Sequence, residues 1–184
     1  VFIFLMSITI NSNATIFQIT NNDMECYEPS LFDGSIAWNG GYNIYYWDGQ
    51  VTTKITDCPN AQRPSLYDGT IAYEDQGNIY YWDGVTTQKI SVNFNQQAPS
   101  KYQGAIAWMG YKIIYYWDDS TTFNITNGDI IAWTPSLYDG TIAWQEDGIK
   151  YYDGNTTIEI NQPYWGNAIS PSLYNGNIAC SLNS

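Results

Sequence analysis

The side chains able to do chemistry in this chain are 18 carboxylates, 6 cations and 3 cysteines, with no histidine anywhere. Without an imidazole, Ser-His-Asp and Cys-His nucleophilic catalysis and the usual zinc sites are excluded. Two adjacent acid pairs, Glu74-Asp75 and Glu146-Asp147, occupy equivalent loops of an internal repeat and are the candidates for paired-carboxylate glycoside hydrolysis. Adjacent acids in a short hairpin loop are ordinarily solvated turn residues, so the expectation is a chain that is not an enzyme. The acidity would suit calcium, but no Asp-x-Asp-x-Asp-Gly loop is present, and no cofactor or metal is implied.

Binding chemistry is better represented. Tyr27, Phe94, Trp133, Tyr164 and Trp165 lie beside Glu25, Asn95, Asp129 and Asn167 in segments that vary from one repeat to the next. Aromatic faces next to amides and carboxylates suit a glycan- or peptide-binding rim, because the ring covers apolar C–H surface while the polar groups fix orientation. The plainer alternative is that these aromatics cap the ends of the core.

The elements that must position these residues are copies of one unit. A Ser-Leu-Tyr-Asp-Gly core recurs at Ser30, Ser65, Ser100, Ser136 and Ser172, at steps of 35, 35, 36 and 36 residues. In the copy running from Pro64 to Ser91, Asp68-Gly69 and Asp83-Gly84 are signals for tight two-residue hairpin turns. They predict four strands, A to D, over 65–67, 70–73, 78–82 and 85–90, with a four-residue connection at 74–77. Strand C, Ile79-Tyr80-Tyr81-Trp82, has no polar alternation, which predicts burial on both faces. A four-stranded meander covered on both faces by copies of itself is a β-propeller blade.

Five copies of A and B are followed by only four of C and D, and the missing pair falls at the start of the chain, in 7–11 and 15–20. The expectation is therefore an all-β, five-bladed β-propeller of four-stranded antiparallel blades over residues 6–184, its last blade closed by strands from both termini. Residues shared by all copies are needed to build a blade. The Ile-Tyr-Tyr-Trp strands read as packing surface for that reason, and function is sought in the loops from D to A at 21–28, 57–63, 92–98, 127–134 and 162–170.

The order Ile-Thr, loop, Pro-Ser-Leu-Tyr-Asp-Gly-Thr-Ile-Ala-Trp, loop, Ile-Tyr-Tyr-Trp-Asp-Gly resembles the repeat of TolB-like propellers over nearly the whole chain. The resemblance implies the architecture and not an activity, since that repeat is a scaffold. The chain lacks the Ser-Pro before Asp-Gly and the basic residues usual after it.

A net charge of −12, with the six cations scattered, excludes the positive footprint that nucleic acid or an anionic membrane surface requires, and no stable membrane span is expected. Cys26 and Cys58 fall in D-to-A loops of adjacent repeats, where a disulfide would contribute about 3 to 4 kcal/mol. Cys180 takes the place of Trp38, Tyr73, Trp108 and Trp144 and reads as a buried thiol. Asn13, Asn124 and Asn155 open glycosylation sequons in numbers that chance supplies. Val1, Phe2, Ile3, Phe4 and Leu5 are surplus to the ring: residues 1–10 resemble the apolar part of a secretory signal, but cleavage there would discard a strand C, and the expectation is a segment that docks on another copy of the chain as an added strand. The resulting reading is a secreted or cell-surface binding module for glycan or protein, with a self-assembling structural subunit as its rival.

Overall fold

The structure is a computed structural model and describes residues 4–7, 15–20, 24–129, 131–160 and 168–182. Among these residues every regular element is a strand. Blade 1 is β3 (Cys26–Phe32), β4 (Ser35–Gly40), β5 (Asn43–Trp47) and β6 (Thr52–Lys54). Blade 2 is β7 (Gln62–Tyr67), β8 (Thr70–Asp75), β9 (Asn78–Trp82) and β10 (Thr87–Lys89), and blade 3 is β11 (Gln97–Tyr102), β12 (Ala105–Gly110), β13 (Ile113–Trp117) and β14 (Thr122–Asn124). Blade 4 is β15 (Trp133–Tyr138), β16 (Thr141–Gln145), β17 (Ile149–Tyr152) and β18 (Thr157–Ile160). Each is an antiparallel meander in the expected order A-B-C-D. Two hairpins complete the set: β1 (Phe4–Ser7) with β2 (Thr15–Gln18), and β19 (Ala168–Tyr174) with β20 (Asn177–Leu182).

The three turns of a blade are built differently. Between A and B the expected type I′ geometry is present: Asp68 and Gly69 have φ of 46° and 69°, which Asp tolerates and Gly adopts freely. Between B and C the strands run further than expected. Glu74 pairs with Ile79 and Asp75 with Asn78, so Gln76-Gly77 alone makes the turn and both acids lie in β8. Between C and D, Asp83-Gly84 is not a two-residue hairpin. The Asp83 carboxylate accepts from the N–H groups of Val85 at 2.8 Å and Thr86 at 2.6 Å, which widens the turn and delays strand D to Thr87. Asp48, Asp118 and Asp153 do the same.

Strand A carries a bulge in all five copies. The bulged residue precedes a proline and is left-handed each time: Glu28, Arg63, Ala98, Thr134 and Ser170 have φ between 42° and 53°. Proline has no N–H for the ladder, so pairing is interrupted there and resumes at the serine that follows.

The core lies between blades. Ala37 and Ile44 of blade 1 pack with Leu66, Ile71 and Tyr73 of blade 2, and the pattern repeats at the next interfaces. The same bond recurs at each interface, in which the Ser30, Ser65, Ser100 and Ser136 hydroxyls accept from the N–H groups of Leu66, Lys101, Leu137 and Leu173, all at 2.9 Å. Phe32, Tyr67, Tyr102, Tyr138 and Tyr174 form a contiguous series of rings with centroids 4.2 to 4.8 Å apart. Among the described residues neither series has a fifth step. Leu31 is 61 % exposed where Leu66 is 4 %, and the hairpins β1–β2 and β19–β20 remain separate two-stranded sheets. Cys180 accordingly is half-buried rather than buried, since among the described residues β20 has no third strand beside it.

The first hairpin also differs in register from the spacing argument. β1 begins at Phe4, and Phe4 and Leu5 pair with Gln18 and Phe17, so they belong to a sheet and not to a free extension. The apolar run itself makes the strand, as it does in every C position. Val1, Phe2 and Ile3 lie outside the described residues.

Candidate functional site

The five bulges face one another. Glu28-Pro29-Ser30 and the corresponding residues of the other four A strands line a single hollow of about 390 Å³ on the axis. Identical backbone geometry thus presents five different side chains, Glu28, Arg63, Ala98, Thr134 and Ser170, around one opening. Arg63 is held by three blades. Its N–H donates to Glu28 Oε2 at 2.7 Å, and its Nη1 donates to Glu74 Oε2 at 2.5 Å and to Gln97 Oε1 at 3.3 Å. Two carboxylates surround one guanidinium, so this side of the hollow is negative and Arg63 is not free to take an anion. Ala98, Thr134 and Ser170 make the other side small and neutral.

Two aromatic pockets flank the hollow. The first, about 300 Å³, is lined by Glu25, Tyr27, Glu28, Asn39, Tyr42 and Gln62. Tyr27 Oη donates to Glu25 Oε2 at 2.7 Å, and that bond to a carboxylate raises the phenol pKa above its ordinary value. Asn39, buried below, donates to the Ala61 carbonyl at 2.9 Å and accepts from the Tyr42 N–H, which fixes the turn bearing Tyr42. The second, about 200 Å³, occupies the equivalent place between blades 3 and 4 and is lined by Asn95, Gln97, Tyr111, Lys112, Ile131 and Trp133 among others. Tyr42, Tyr111 and Trp133 are 66 %, 75 % and 45 % exposed, so these rings are surface and not core caps.

The residues expected to form one rim are therefore divided. Glu25 and Tyr27 share the first pocket, and Asn95 and Trp133 the second. Phe94 stands alone on the surface, 81 % exposed, with Lys89 Nζ 5.6 Å from its ring centre. Asp129 is absorbed in its own turn, where it accepts from Asn127 Nδ2 and returns its N–H to Asn127 Oδ1. Tyr164 and Trp165 lie outside the described residues, as do Asn167 and Asn13. Asn124 and Asn155 are exposed, at the end of β14 and in the C–D turn of blade 4.

Sequence reasoning missed Tyr42, Tyr111 and the five bulged residues. The signal was available: a blade needs no aromatic in a two-residue B–C turn, and the residue before each Pro-Ser differs in every copy. One acid pair, Glu74-Asp75, is placed otherwise than expected, while Glu146-Asp147 lies in its turn. Glu74 and Asp75 are buried strand residues, Glu74 bound by Arg63 and by Gln62 Nε2 at 2.9 Å, while Glu146 accepts from Trp144 Nε1. They stand on blades 2 and 4 and do not flank a common cleft. The Cys26–Cys58 disulfide is not formed: Cys26 is buried against Ile36 and Trp38 with its thiol toward the Met24 carbonyl, whereas Cys58 packs at the next interface near Asp75. Burial, and then Asp75, push the Cys58 thiol pKa up. Among the described residues no three potential ligands converge for a metal, and no helix is long and apolar enough to cross a membrane.

No protein-family model and no curated protein matches the chain. Solved structures do. A chain of the nidogen–laminin complex superposes with a TM-score of 0.64 at 12 % identity, over 96 % of this chain and 80 % of that one. BamB from Moraxella catarrhalis gives 0.60 at 14 % identity over 97 % of this chain, and YCF48 bound to a D1 peptide gives 0.55 at 13 % over 86 %. This chain spans 61 % and 60 % of those two chains. All three are β-propeller proteins, and the fold of this chain is that of a β-propeller.

Proposed function

We propose that the chain is a secreted or surface-displayed, non-enzymatic β-propeller module that binds a protein or peptide segment across the face carrying its B–C turns and D–A loops. One observation carries this reading: two aromatic pockets and an axial hollow lie side by side on that face, and the aromatics of the pockets and the residue before each Pro-Ser of the hollow vary between otherwise repeated blades. Scaffold positions repeat, whereas these do not, so the fold does not require them. Nidogen is seen with laminin and YCF48 with a peptide, which supports a polypeptide partner. The net charge of −12 and the excess of carboxylate around Arg63 favour a cationic one.

The same reading has five blades, with β19–β20 the inner half and β1–β2 the outer half of the last. Its support is that β19 already joins the hollow and both interface series through Pro171, Leu173 and Tyr174. The rival, copies of the chain joined to one another, is favoured by the exposed flank of Leu31 and Tyr174.

A phage-displayed random peptide library and a glycan array, each probed with the protein and with a Tyr42→Ala/Trp133→Ala variant, test the proposal. Enrichment of basic peptides that is lost in the variant at unchanged melting temperature is expected. Glycan binding without peptide enrichment would overturn the polypeptide assignment. No difference between protein and variant would overturn the site.

A further inference from the structure

The two aromatic pockets are repeat-equivalent, and at the equivalent place between them the chain inserts a side chain of its own. Tyr27, Gln62 and Gln97 precede the bulge of strand A and pair with Asn39, Glu74 and Met109 near the end of strand B. Each pocket lies between such a strand B residue and the pre-bulge residue of the next blade: Asn39 with Gln62 in the first, Met109 with Trp133 in the second. Between blades 2 and 3 the corresponding residues are Glu74 and Gln97, and Arg63 Nη1 donates to both. The B–C turns agree with this division. Tyr42 and Tyr111 wall the two pockets, whereas the turn of blade 2, Gln76-Gly77, carries no ring. The fold therefore seats a long side chain at this place, and its other two seats are open to side chains from a partner.

The two open seats differ in chemistry. In the first, Asn39 is the buried floor, and the exposed Glu25 and Glu28 stand beside the exposed rings of Tyr27 and Tyr42. Glu28 accepts from the Arg63 N–H, while Glu25 accepts from Tyr27 Oη and stays within the pocket wall. A cationic side chain finds both a carboxylate and aromatic faces there. An aliphatic one would cover the rings but draw water from Glu25 without replacing it. In the second seat the buried floor is Met109, and Tyr111, Ile131 and Trp133 are the walls. Among the described residues lining it there is no carboxylate, and Lys112 stands beside them with its Nζ 6.0 Å from the Tyr111 ring centre. A cation meets like charge there, whereas a bulky apolar side chain buries its surface against Met109 and Trp133.

We infer that the two pockets read different side chains of one bound segment: the seat between blades 1 and 2 takes a lysine or arginine, and the seat between blades 3 and 4 takes a bulky apolar residue. A polypeptide carrying both is then bound in one direction only. The inference rests on the polypeptide reading proposed above and adds to it which pocket selects which side chain.

The probes are N-acetyl-arginine amide and N-acetyl-leucine amide, each titrated against the isotope-labelled full chain by NMR. The arginine probe is expected to shift the ring resonances of Tyr27 and Tyr42, and to bind that seat about tenfold more tightly than the leucine probe does. The leucine probe should shift the Trp133 indole and the Met109 methyl instead. Glu25→Gln, at an exposed position, should weaken the arginine probe about threefold at unchanged melting temperature and leave the leucine probe unaffected. Equal binding of the arginine probe at both seats, preference of the leucine probe for the first, unchanged arginine affinity in Glu25→Gln, or no shift at either seat would each overturn the assignment. Peptides enriched through Tyr42 and Trp133 but lacking a basic and an apolar residue would sink this inference and leave the proposed function. Probes seated as expected with no peptide enriched would remove the proposed function and leave the preference of each seat.

Discussion

Lys101 shows what a single residue can do against the repeat. Its equivalents are Leu31, Leu66, Leu137 and Leu173, and like most of them it is buried, with 6 % exposure. Its ammonium reaches the Gln103 carbonyl and lies 4.9 Å from the Tyr81 ring centre. Burial dominates over the nearby Asp119 and Asp68 and lowers the pKa from 10.5 to about 8. The sign follows from proton binding: between pH 8 and 10.5 the unfolded chain holds a proton that the folded chain has released, so stability rises with pH across that window. Lys101→Leu should raise stability at pH 7 by about 1 to 2 kcal/mol and remove the alkaline rise, both measured by urea denaturation. Residues whose role is packing were legible at this scale. Trp38, Trp108 and Trp144 recur in register and are at most 2 % exposed, and truncation of Trp108 to Ala should cost about 3 to 5 kcal/mol. The functional pockets were only half legible, because Glu25, Tyr27, Asn95 and Trp133 were visible as aromatics beside polar groups, whereas Tyr42 and Tyr111 sit in turns that a linear reading treats as punctuation.

At the level of elements, the A–B hairpin followed from Asp-Gly, since both turn residues adopt positive φ in the Asp68-Gly69 copy. The same dipeptide at Asp83-Gly84 misled, because a carboxylate that captures two N–H groups competes with the tight turn. Glu74 and Asp75 misled differently: their charge suggested solvent, but pairing to Ile79 and Asn78 and the bonds from Gln62 and Arg63 hold Glu74 inside. The C–D turns carry a pH dependence. Asp48, Asp83, Asp118 and Asp153 all have pKa values below 3.8, chiefly because backbone N–H groups bond the charged carboxylate. A depressed folded pKa contributes stability that is present above 3.8 and lost as pH falls through the lower folded value. Acid titration followed by circular dichroism should therefore show loss of strand signal below that pH. Asp83→Ala should melt at lower temperature than the parent at pH 7, and the difference should shrink as the pH is lowered past 3.8. An equal difference at pH 7 and in acid would mean that the turn is held by something other than its carboxylate.

For the whole molecule, the period and the doubly apolar C strand led to the propeller architecture, while the joining of the ends depends on contacts between segments far apart in the chain. The four serine bonds between blades provide a ruler for that joint. Ser136 accepts from Leu173 at 2.9 Å across a packed interface, and its loss to alanine should cost about 1 kcal/mol. Ser172 has the same place in β19 but is exposed, and Leu31, the residue whose N–H would reach it, is exposed as well. If β1–β2 and β19–β20 close into one blade, Leu31 meets Ser172, and Ser172→Ala should cost as much as Ser136→Ala in urea denaturation of the monomer. Deletion of residues 1–14, which removes β1, should then lower the melting temperature and promote self-association, because the free edges of β20 and β2 become templates for another chain. If Ser172→Ala is neutral in dilute solution but weakens a concentration-dependent oligomer, the contact is made between copies and the closed five-bladed ring is wrong. If it is neutral under both conditions, and the deletion leaves mass and melting temperature unchanged, the interface between Leu31 and Ser172 is not formed at all, and the binding face must be read as an open arc of blades.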